Sequence, residues 1–507
     1  MDSTKRIIVN TSAQYVKAVV NTCLSLYSTR LILDALTVSD FGIYTVVGGV
    51  VAMLGFVTNA LVISTQRYIS FFLGQGNKNS VSKMFTNSLL MHIVLGLLIA
   101  LVLVLLKGWL FGGVLNIDEA RIETAGQVYY ITIFMLLTTI IIAPFKALFI
   151  ARENIVYISA VEVCDGVVKL ALAIGLAYVN ADKLFVYALM MAAIQVLNLL
   201  AFSIYAKLRF EECHILIRRK DVDVASIRLL AGFAGWTTYG AGALAARTQG
   251  TAVIINHFVG TVANAAYGVA AQVNYAIFFV SSSIINAMNP QIIKAEGAGY
   301  RKRVLTLAGQ ESKYSVILLA IVAIPLLMVL PDILALWLKE VPENTAMFCT
   351  FTLTTCLVDQ FTIGLNTVNQ AQGKIGVYTI LMFTPKLINL PIAWLLLHKG
   401  FPLVSVMWSI LIIEALVAAI RLPYLKCTAG LKISSYLRQT IFPVLPLIAT
   451  LLIVCWGCTQ LFHFRMAFIV TVIITGLAGM ISAWTFSLTT NERHYIKKLL
   501  KERAKRK

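Results

Sequence analysis

The chain has 507 residues, of which 59% are hydrophobic and only 13% are charged. Charged residues make up about a quarter of a soluble globular domain, so this composition excludes one and indicates a polytopic membrane protein. The formal net charge of +19 does not require a nucleic-acid partner, because the basic residues fall mainly in the loops on one side of the predicted membrane segments.

Apolar stretches of about 20 residues, separated by short polar breaks, predict an all-α protein with about 14 transmembrane helices. The predicted spans are 8–34, 41–66, 85–106, 124–145, 155–179, 184–206, 229–256, 262–288, 310–331, 345–370, 375–397, 402–422, 436–460 and 466–488. The first and seventh are the most polar, so we expect both to line an aqueous interior. No apolar core with a small-residue cleavage site precedes the first span, which is therefore expected to act as an uncleaved signal.

The loops between the spans predict the orientation of the chain. With the N-terminus in the cytoplasm, 31 of the 42 Lys and Arg residues fall on the cytoplasmic side and 6 on the outer side. This positive-inside bias favours an even number of spans, with both termini cytoplasmic, in a multi-pass protein of the cytoplasmic membrane. The basic tail at 491–507 is expected either to lie on anionic lipid headgroups or to remain solvated.

Two parts of the chain match each other at an offset of 223 residues. Gly74-Gln-Gly76 aligns with Gly297-Ala-Gly299, and a further match joins 151–157 to 372–378 at an offset of 221. The matches predict that spans 1–6 and 7–12 are copies with the same orientation, a parallel repeat of the kind found in transporters. The predicted domains are an N-terminal six-helix bundle, a C-terminal six-helix bundle, two additional helices and a basic tail, at 1–225, 226–430, 431–490 and 491–507.

Five basic residues that lie at least four residues from the ends of the predicted spans are the strongest functional signal. A cation in the centre of a bilayer costs roughly 2.5–3.5 kcal/mol on insertion scales, and such residues usually face a cavity, a partner or a substrate. The five are Lys17, Arg30, Lys169, Arg247 and Lys386. They predict a cationic cavity that binds an anionic substrate, because Lys and Arg compensate the desolvation of phosphate groups.

Acidic neighbours on the same helix distinguish two of these residues. Arg30 has Asp34 and Lys169 has Asp165 four residues away, which favours a structural ion pair for Arg30 and either a structural pair or a proton-linked switch for Lys169.

The other three cations, Lys17, Arg247 and Lys386, have no acidic residue three or four positions away. This favours a place along the transport pathway for each of them. The alternative for Lys386 is an ion pair with Asp359 or Glu414 on a neighbouring span.

Other polar residues within the spans complete the predicted site. Side chains that would hydrogen-bond or stack against sugars are Gln14, Asn21, Trp236, Tyr239 and Asn256. Acids that would couple transport to an ion or a proton are Asp165, Asp359 and Glu414. Neither a catalytic constellation nor a metal or cofactor site is predicted, and the C-x-x-C spacing of Cys455 and Cys458 lies inside a predicted helix, where a structural role is favoured.

The chain resembles the Wzx-like polysaccharide flippases of the multidrug/oligosaccharidyl-lipid/polysaccharide exporter superfamily. The resemblance covers the whole chain and includes the polar first span, QRYISFFLGQG at 66–76, PFKALFIARE at 144–153 and NTVNQAQGK at 366–374. It implies alternating-access transport of an undecaprenyl-diphosphate-linked oligosaccharide to the outer leaflet, for O-antigen, capsule or exopolysaccharide synthesis. We expect a monomer in contact with membrane lipids, with a polysaccharide polymerase and a chain-length regulator as further partners.

Two other functions are less consistent with the sequence. A drug or cation antiporter of the same superfamily would favour acidic groups in the cavity, whereas here the five cations outnumber the four deep acids Glu162, Asp165, Asp359 and Glu414. A membrane enzyme is disfavoured because the predicted outer loops are short and carry no cluster of His, Asp or Ser.

Overall fold

The computed structural model describes residues 3–36, 40–44, 47–48, 54–114, 117, 119–213, 222–338, 341–462 and 466–494. Within these ranges the chain forms helices and short turns, and no strand. The side chain of Arg30 and the basic tail after residue 494 lie outside the described part, so the predictions made for them stay predictions.

The main described helices follow the predicted spans. Several of them are separated by turns of only one or two residues. They are α1 (Ser3–Ala35), α2 (Gly55–Gly74), α3 (Lys78–Trp109), α4 (Ile122–Ala151), α5 (Ile155–Leu176), α6 (Lys183–Arg209), α7 (Val224–Val259), α8 (Thr261–Gly297), α9 (Arg301–Met328), α10 (Leu330–Trp337), α11 (Thr345–Gln360), α12 (Ile363–Gln372), α13 (Gly376–His398), α14 (Val404–Ala429), α15 (Leu445–Leu461) and α16 (Ala467–Ser482).

The composition of these helices confirms a multi-pass membrane protein. Among the described residues, nine helices are long and apolar enough to cross a membrane, and the bent pair α11–α12 makes up to ten. Helices α1 and α7 are not among them, although they are 33 and 36 residues long. Polar residues such as Asn10, Lys17 and Arg247 lower their hydropathy, in line with the prediction that the first and seventh spans are the most polar.

The chain divides into two compact units, Ile8–Thr238 and Tyr239–Lys507 together with Met1–Ile7. Helix α7 contains the division. In the first unit the Ser64 hydroxyl donates a hydrogen bond of 2.9 Å to the carbonyl oxygen of Leu230 on α7. In the second unit Gly250 of α7 packs against Leu390 of α13. The predicted boundary at 225/226 lies at the start of this helix, 13 residues before the division between the units.

The core of each unit consists of side chains from several helices. In the first unit Tyr129 of α4 is fully buried and donates a 2.8 Å hydrogen bond to the carbonyl of Leu103 on α3. In the second unit α15 and the segment before it pack against α9 through Leu447, Leu451 and Ile324. Inside a bilayer such contacts stabilise by close packing and hydrogen bonding rather than by removing apolar surface from water.

The predicted repeat is visible in the turns that follow α2 and α8. Gly76 and Gly299, which align at the offset of 223, both have left-handed backbones, with φ of 72° and 77°. After each glycine the next amide donates to the carbonyl five residues earlier, at 3.1 and 2.9 Å. This is the Schellman arrangement that satisfies carbonyls at a helix end, and glycine adopts its left-handed position without strain.

The predicted span at 345–370 is two helices rather than one. Helices α11 and α12 meet at a bend of 49°. At the bend the Thr362 amide bonds to the carbonyl of Asp359 at 3.2 Å, which tightens the last turn. The Arg421 guanidinium donates to that same carbonyl at 3.4 Å, and the Tyr436 hydroxyl donates to the carbonyl of Phe361 at 2.8 Å. Side chains from outside the span therefore add hydrogen bonds to carbonyls at the break, where the regular helical pattern is interrupted.

Candidate functional site: a carboxylate bridging two cations in each unit

The second unit contains a buried carboxylate that is shared by two cations. Lys386 Nζ lies 2.6 Å from Glu414 Oε1, and Arg247 Nη1 lies 3.0 Å from Glu414 Oε2. The side chains of Glu414 and Lys386 are only 2% and 6% exposed, and that of Arg247 is 18% exposed. We call Arg247, Lys386 and Glu414 the C-terminal triad.

Small residues on α7 bring its side chains within reach of α13 and α14. A Cβ atom at Gly250 would stand 2.7 Å from Leu390, and one at Gly240 would stand 3.1 Å from Phe383. Both distances are shorter than ordinary carbon contacts, so glycine at these positions lets α7 approach α13 without displacing the side chains of Leu390 and Phe383. Arg247 lies between the two glycines on α7, which lets its guanidinium reach Glu414.

A cavity of about 440 Å³ lies beside the triad, within the second unit. Arg247, Lys386 and Glu414 all line it, together with Asp359 and the polar side chains of Gln249, Asn274 and Thr355. Its volume falls in the range of about 300–1,000 Å³ that is usual for small-ligand pockets.

A second ion pair stands next to the triad. Arg421 Nη2 lies 2.8 Å from Asp359 Oδ1, and the Arg421 side chain is 5% exposed. With the triad, this pair gives three cations and two carboxylates, so the five side chains carry one net positive charge. A cation left in excess inside a membrane protein favours the binding of an anion.

The first unit contains a triad of the same design. Glu162 on α5 accepts from Lys17 on α1 at 2.8 Å and from Lys146 on α4 at 2.9 Å. We call these three residues the N-terminal triad. Its members are more exposed, at 29% for Glu162, 21% for Lys17 and 35% for Lys146.

Close approach of α1 to α5 positions this triad. A Cβ atom at Gly166 would stand 2.9 Å from Asn21 Oδ1, so glycine allows the two helices to pack tightly. The Asn21 amide also donates to the main-chain carbonyl of Glu162 at 3.3 Å. Asn21 therefore holds the turn of α5 that presents Glu162, while Lys17 lies one helical turn earlier on α1.

Lys169 forms a separate ion pair in the first unit. Its Nζ lies 2.7 Å from Asp165 Oδ2, one turn away on α5, and Asn198 of α6 donates to the other carboxylate oxygen at 2.8 Å. Both functions considered for Lys169, a structural pair and a proton-linked switch, require this contact with Asp165.

The remaining predicted residues do not line the cavity of the second unit. Gln14 is buried in α1, Trp236 and Tyr239 are partly exposed on α7, and Asn256 is exposed near the end of that helix. The Tyr239 hydroxyl hydrogen-bonds Thr384 at 2.8 Å. None of these four is among the residues that line the described cavity.

The sequences of their own helices do not indicate which groups the predicted cations contact. Lys17, Arg247 and Lys386 lack acidic neighbours in sequence, yet each contacts a carboxylate on another helix. Of the two acids considered for Lys386, Glu414 is the one that contacts it, while Asp359 pairs with Arg421.

Two members of these clusters were missed because the helices extend beyond the apolar stretches. Arg421 lies in the last turn of the predicted span 402–422, where it is one of the basic residues assigned to the cytoplasmic loops. Helix α14, however, continues to Ala429. Lys146 lies one residue beyond the predicted span 124–145, but α4 continues to Ala151. The helix-forming sequence KALFIA at 146–151 is a signal that would have found Lys146. No such signal exists for Arg421, because Pro423 directly after the apolar stretch indicates the end of a helix, although α14 continues through it.

The chemistry of these clusters is that of charge recognition. Among the described residues no group of three or more His, Cys, Asp or Glu is arranged to hold a metal ion. The two triads offer positioned cationic donors and a bridging acceptor, which suits reversible binding of an anion.

Comparison with known proteins agrees with this architecture. The model of the MatE family matches residues 248–395. This range includes Asp359 and Lys386 and begins one residue after Arg247. A comparison with curated proteins finds no significant match.

Several solved structures share the fold at low sequence identity. A MOP superfamily transporter from Pyrococcus furiosus, described as having a binding pocket of reversed polarity, aligns with a TM-score of 0.71 and 12% identity over 85% of this chain and 96% of its own. A MATE structure in the bent conformation aligns with a TM-score of 0.75 and 12% identity over 86% and 97%. An outward-facing multidrug resistance MATE family transporter of the MOP superfamily aligns with a TM-score of 0.70 and 14% identity over 86% and 97%.

The chain is thus a multi-pass membrane protein that has the fold of the solved MATE and MOP superfamily transporters, and its residues 248–395 match the MatE family model.

Proposed function

We propose that this protein is a transporter that moves a lipid-linked oligosaccharide, carried on undecaprenyl diphosphate, across the cytoplasmic membrane for the synthesis of a surface polysaccharide. The observation that carries the proposal is the C-terminal triad, in which one buried carboxylate faces two cations beside a cavity of about 440 Å³. The fold, shared with known transporters, supports movement of a substrate rather than its chemical conversion.

The charge of the cavity favours an anionic headgroup. A diphosphate loses its hydration when it leaves water, and Lys and Arg compensate that loss, with Arg able to donate two parallel hydrogen bonds. Arg247 and Lys386 both line the cavity and belong to different helices, so they can approach a phosphate from two directions. The polar side chains of Gln249 and Asn274 in the same lining can hydrogen-bond an adjoining sugar.

A drug or cation antiporter is the second candidate. Two carboxylates, Asp359 and Glu414, line the same cavity, and one of the structurally similar proteins is a multidrug resistance transporter. A cationic drug would need at least one of these acids as its counter-ion. Both acids already form ion pairs, with Arg421 and with the two cations of the triad, which favours the anionic substrate.

Transport by the purified protein in liposomes distinguishes the two functions. Undecaprenyl diphosphate carrying a fluorescent oligosaccharide is placed in the membrane, and its appearance in the second leaflet is measured by quenching from outside. The same liposomes are tested for accumulation of ethidium. Leaflet transfer of the lipid-linked sugar without ethidium uptake is the expected result, and ethidium uptake without leaflet transfer contradicts it.

The orientation and the partners are part of the same proposal. We place both termini in the cytoplasm, because basic residues concentrate in the loops on that side. We also propose that the protein acts as a monomer beside a polymerase and a chain-length regulator. A C-terminal reporter that is active only in the cytoplasm tests the orientation, and an inactive reporter on a correctly inserted chain contradicts it.

A further inference from the structure

Both triads have a feature that binding of a simple anion does not require. In each, a single carboxylate already occupies the donors that would hold the substrate. Glu414 forms ion pairs with the Lys386 ammonium at 2.6 Å and with the Arg247 guanidinium at 3.0 Å. Glu162 forms ion pairs with Lys17 and Lys146 in the same way, at 2.8 and 2.9 Å. A phosphate and a carboxylate use the same cationic donors with similar geometry, so both cannot hold them fully at once.

We propose that Glu414 is an internal competitor of the substrate. A phosphate group displaces the Glu414 carboxylate from Arg247 and Lys386 only when that carboxylate is protonated. The inference rests on the proposed function, because it assumes an anionic headgroup in the cavity beside the triad. It adds a regulated exchange at that site, in which one anion of the protein is replaced by one anion of the substrate.

The need for a proton follows from burial. The Glu414 side chain is 2% exposed, so a carboxylate that has lost both cations would keep an uncompensated charge in the interior of the bundle. Water has too little access to the Glu414 carboxylate to compensate its charge in place of the two cations. Protonation by a proton from solvent removes the charge and leaves a neutral carboxylic acid, while the phosphate takes the two cations.

The other charged and titratable groups around Glu414 do not supply an alternative counter-ion. Arg421, two turns along the same helix, pairs with Asp359 of α11 at 2.8 Å. Cys356 on α11 and Tyr267 on α8 also line the cavity, and neither carries a positive charge. Asp359 also lines the cavity, and as an acid it cannot serve as a counter-ion of the released carboxylate.

The N-terminal triad gives a matched comparison. Glu162 is 29% exposed, so water can solvate it after its cations are taken. Displacement of Glu162 therefore requires no proton, although it is the same kind of exchange. The two units thus differ in one property, the coupling of anion binding to protonation, which follows from the exposure of the bridging carboxylate.

Calorimetric binding to the full-length protein in detergent tests the proposal. Farnesyl diphosphate is the probe, at about pH 8, where its phosphates are ionised, and the titration is repeated in two buffers that differ in ionisation enthalpy. The difference between the two heats gives the number of protons taken up per molecule bound. The wild type is expected to take up about one proton, and its affinity is expected to rise by up to about tenfold for each unit that the pH is lowered.

Variants assign the proton to a residue. Glu414→Gln is expected to bind about tenfold or more tightly at about pH 8 and to take up no proton, because the competitor has lost its charge. Glu162→Gln is expected to leave the proton number unchanged. If Glu414→Gln does not fold, the proton number of the wild type still decides the question, because a value of zero overturns the inference.

The outcomes separate this inference from the proposed function. Binding of farnesyl diphosphate by the wild type without proton uptake overturns the inference and leaves the proposed function standing. Proton uptake that is retained in Glu414→Gln also overturns it, because the proton then belongs to another group. No binding by the wild type at either about pH 6 or about pH 8 overturns both.

Discussion

At the scale of single residues, the buried charges of this protein are explained by their partners on other helices. Lys386 would be costly as an isolated ammonium in a membrane bundle, but Glu414 lies 2.6 Å from it and also holds Arg247. Sharing one carboxylate between two cations leaves a positive charge in excess. That excess is the physical basis of the proposed affinity for an anion.

Removal of the carboxylate is expected to destabilise the protein more than removal of one cation. Glu414→Leu leaves Arg247 and Lys386 without their counter-ion, and breaking a buried pair in this way costs about 3–5 kcal/mol. Lys386→Met leaves Glu414 bound to Arg247, so we expect a smaller loss, about 1–2 kcal/mol. Thermal unfolding of the two variants in detergent measures the order. Equal stability of the two, or a larger loss for Lys386→Met, would show that Glu414 does not bridge both cations.

At the scale of helices, close packing depends on glycine at a few crossing points. Gly364, near the start of α12, packs against the backbone of Ala308 on α9, and its amide donates to the Ser312 hydroxyl at 2.9 Å. The sequence predicts the helices here, because apolar stretches identify them, but it does not show which glycine lies at a helix crossing. The bend between α11 and α12 was missed for a similar reason, since the residues that hold it, Arg421 and Tyr436, come from later helices.

A methyl group at Gly364 is expected to disrupt the contact between α9 and α12. The added Cβ would overlap the carbonyl oxygen of Ala308, which is backbone and cannot rotate away. Gly364→Ala should therefore lower the yield of folded protein and its unfolding temperature in detergent. Gly457→Ala on α15 is the matched control, because nothing lies within 4 Å of a Cβ there. Normal stability of Gly364→Ala would contradict the described crossing.

The last described helical turn is fastened to α9 by a glutamate. Glu492 accepts from Lys313 at 2.8 Å and from the Tyr314 hydroxyl at 2.6 Å, and it forms a capping box with Thr489. Burial by itself would raise the pKa of Glu492, but the hydrogen bonds from Lys313, Tyr314 and the Thr489 amide outweigh it and hold the pKa below its usual value.

A lowered pKa in the folded state predicts how this contact depends on pH. The stabilisation by Glu492 is complete above the pKa of an unfolded glutamate, about 4.3, and is lost as the pH falls through the lower pKa of the folded protein. Glu492→Gln should therefore unfold at a lower temperature than the wild type near neutral pH, and the difference should shrink below about pH 4. Glu343→Gln, at an exposed position, serves as the control. A difference that stays constant with pH would exclude the ionised carboxylate as its source.

At the scale of the whole molecule, composition and periodicity are enough to predict the fold class, because a bilayer demands long apolar helices. The repeat was also predictable, since the glycines at 76 and 299 are required by the same turn. The pairing of the buried charges was not. Lys17 and Glu162 are 145 residues apart, and Arg247 and Glu414 are 167 apart, so their contacts depend on how helices pack within each unit.

The central claim is that the cationic triads serve an anionic lipid-linked substrate, and charge reversal in a transport assay tests it most directly. Lys386→Glu is compared with Lys399→Glu, an exposed lysine just beyond the end of the same helix. Leaflet transfer of undecaprenyl diphosphate carrying a fluorescent oligosaccharide is measured in liposomes with equal amounts of folded protein. We predict loss of transfer in Lys386→Glu and wild-type transfer in Lys399→Glu. Wild-type transfer by folded Lys386→Glu would contradict the claim.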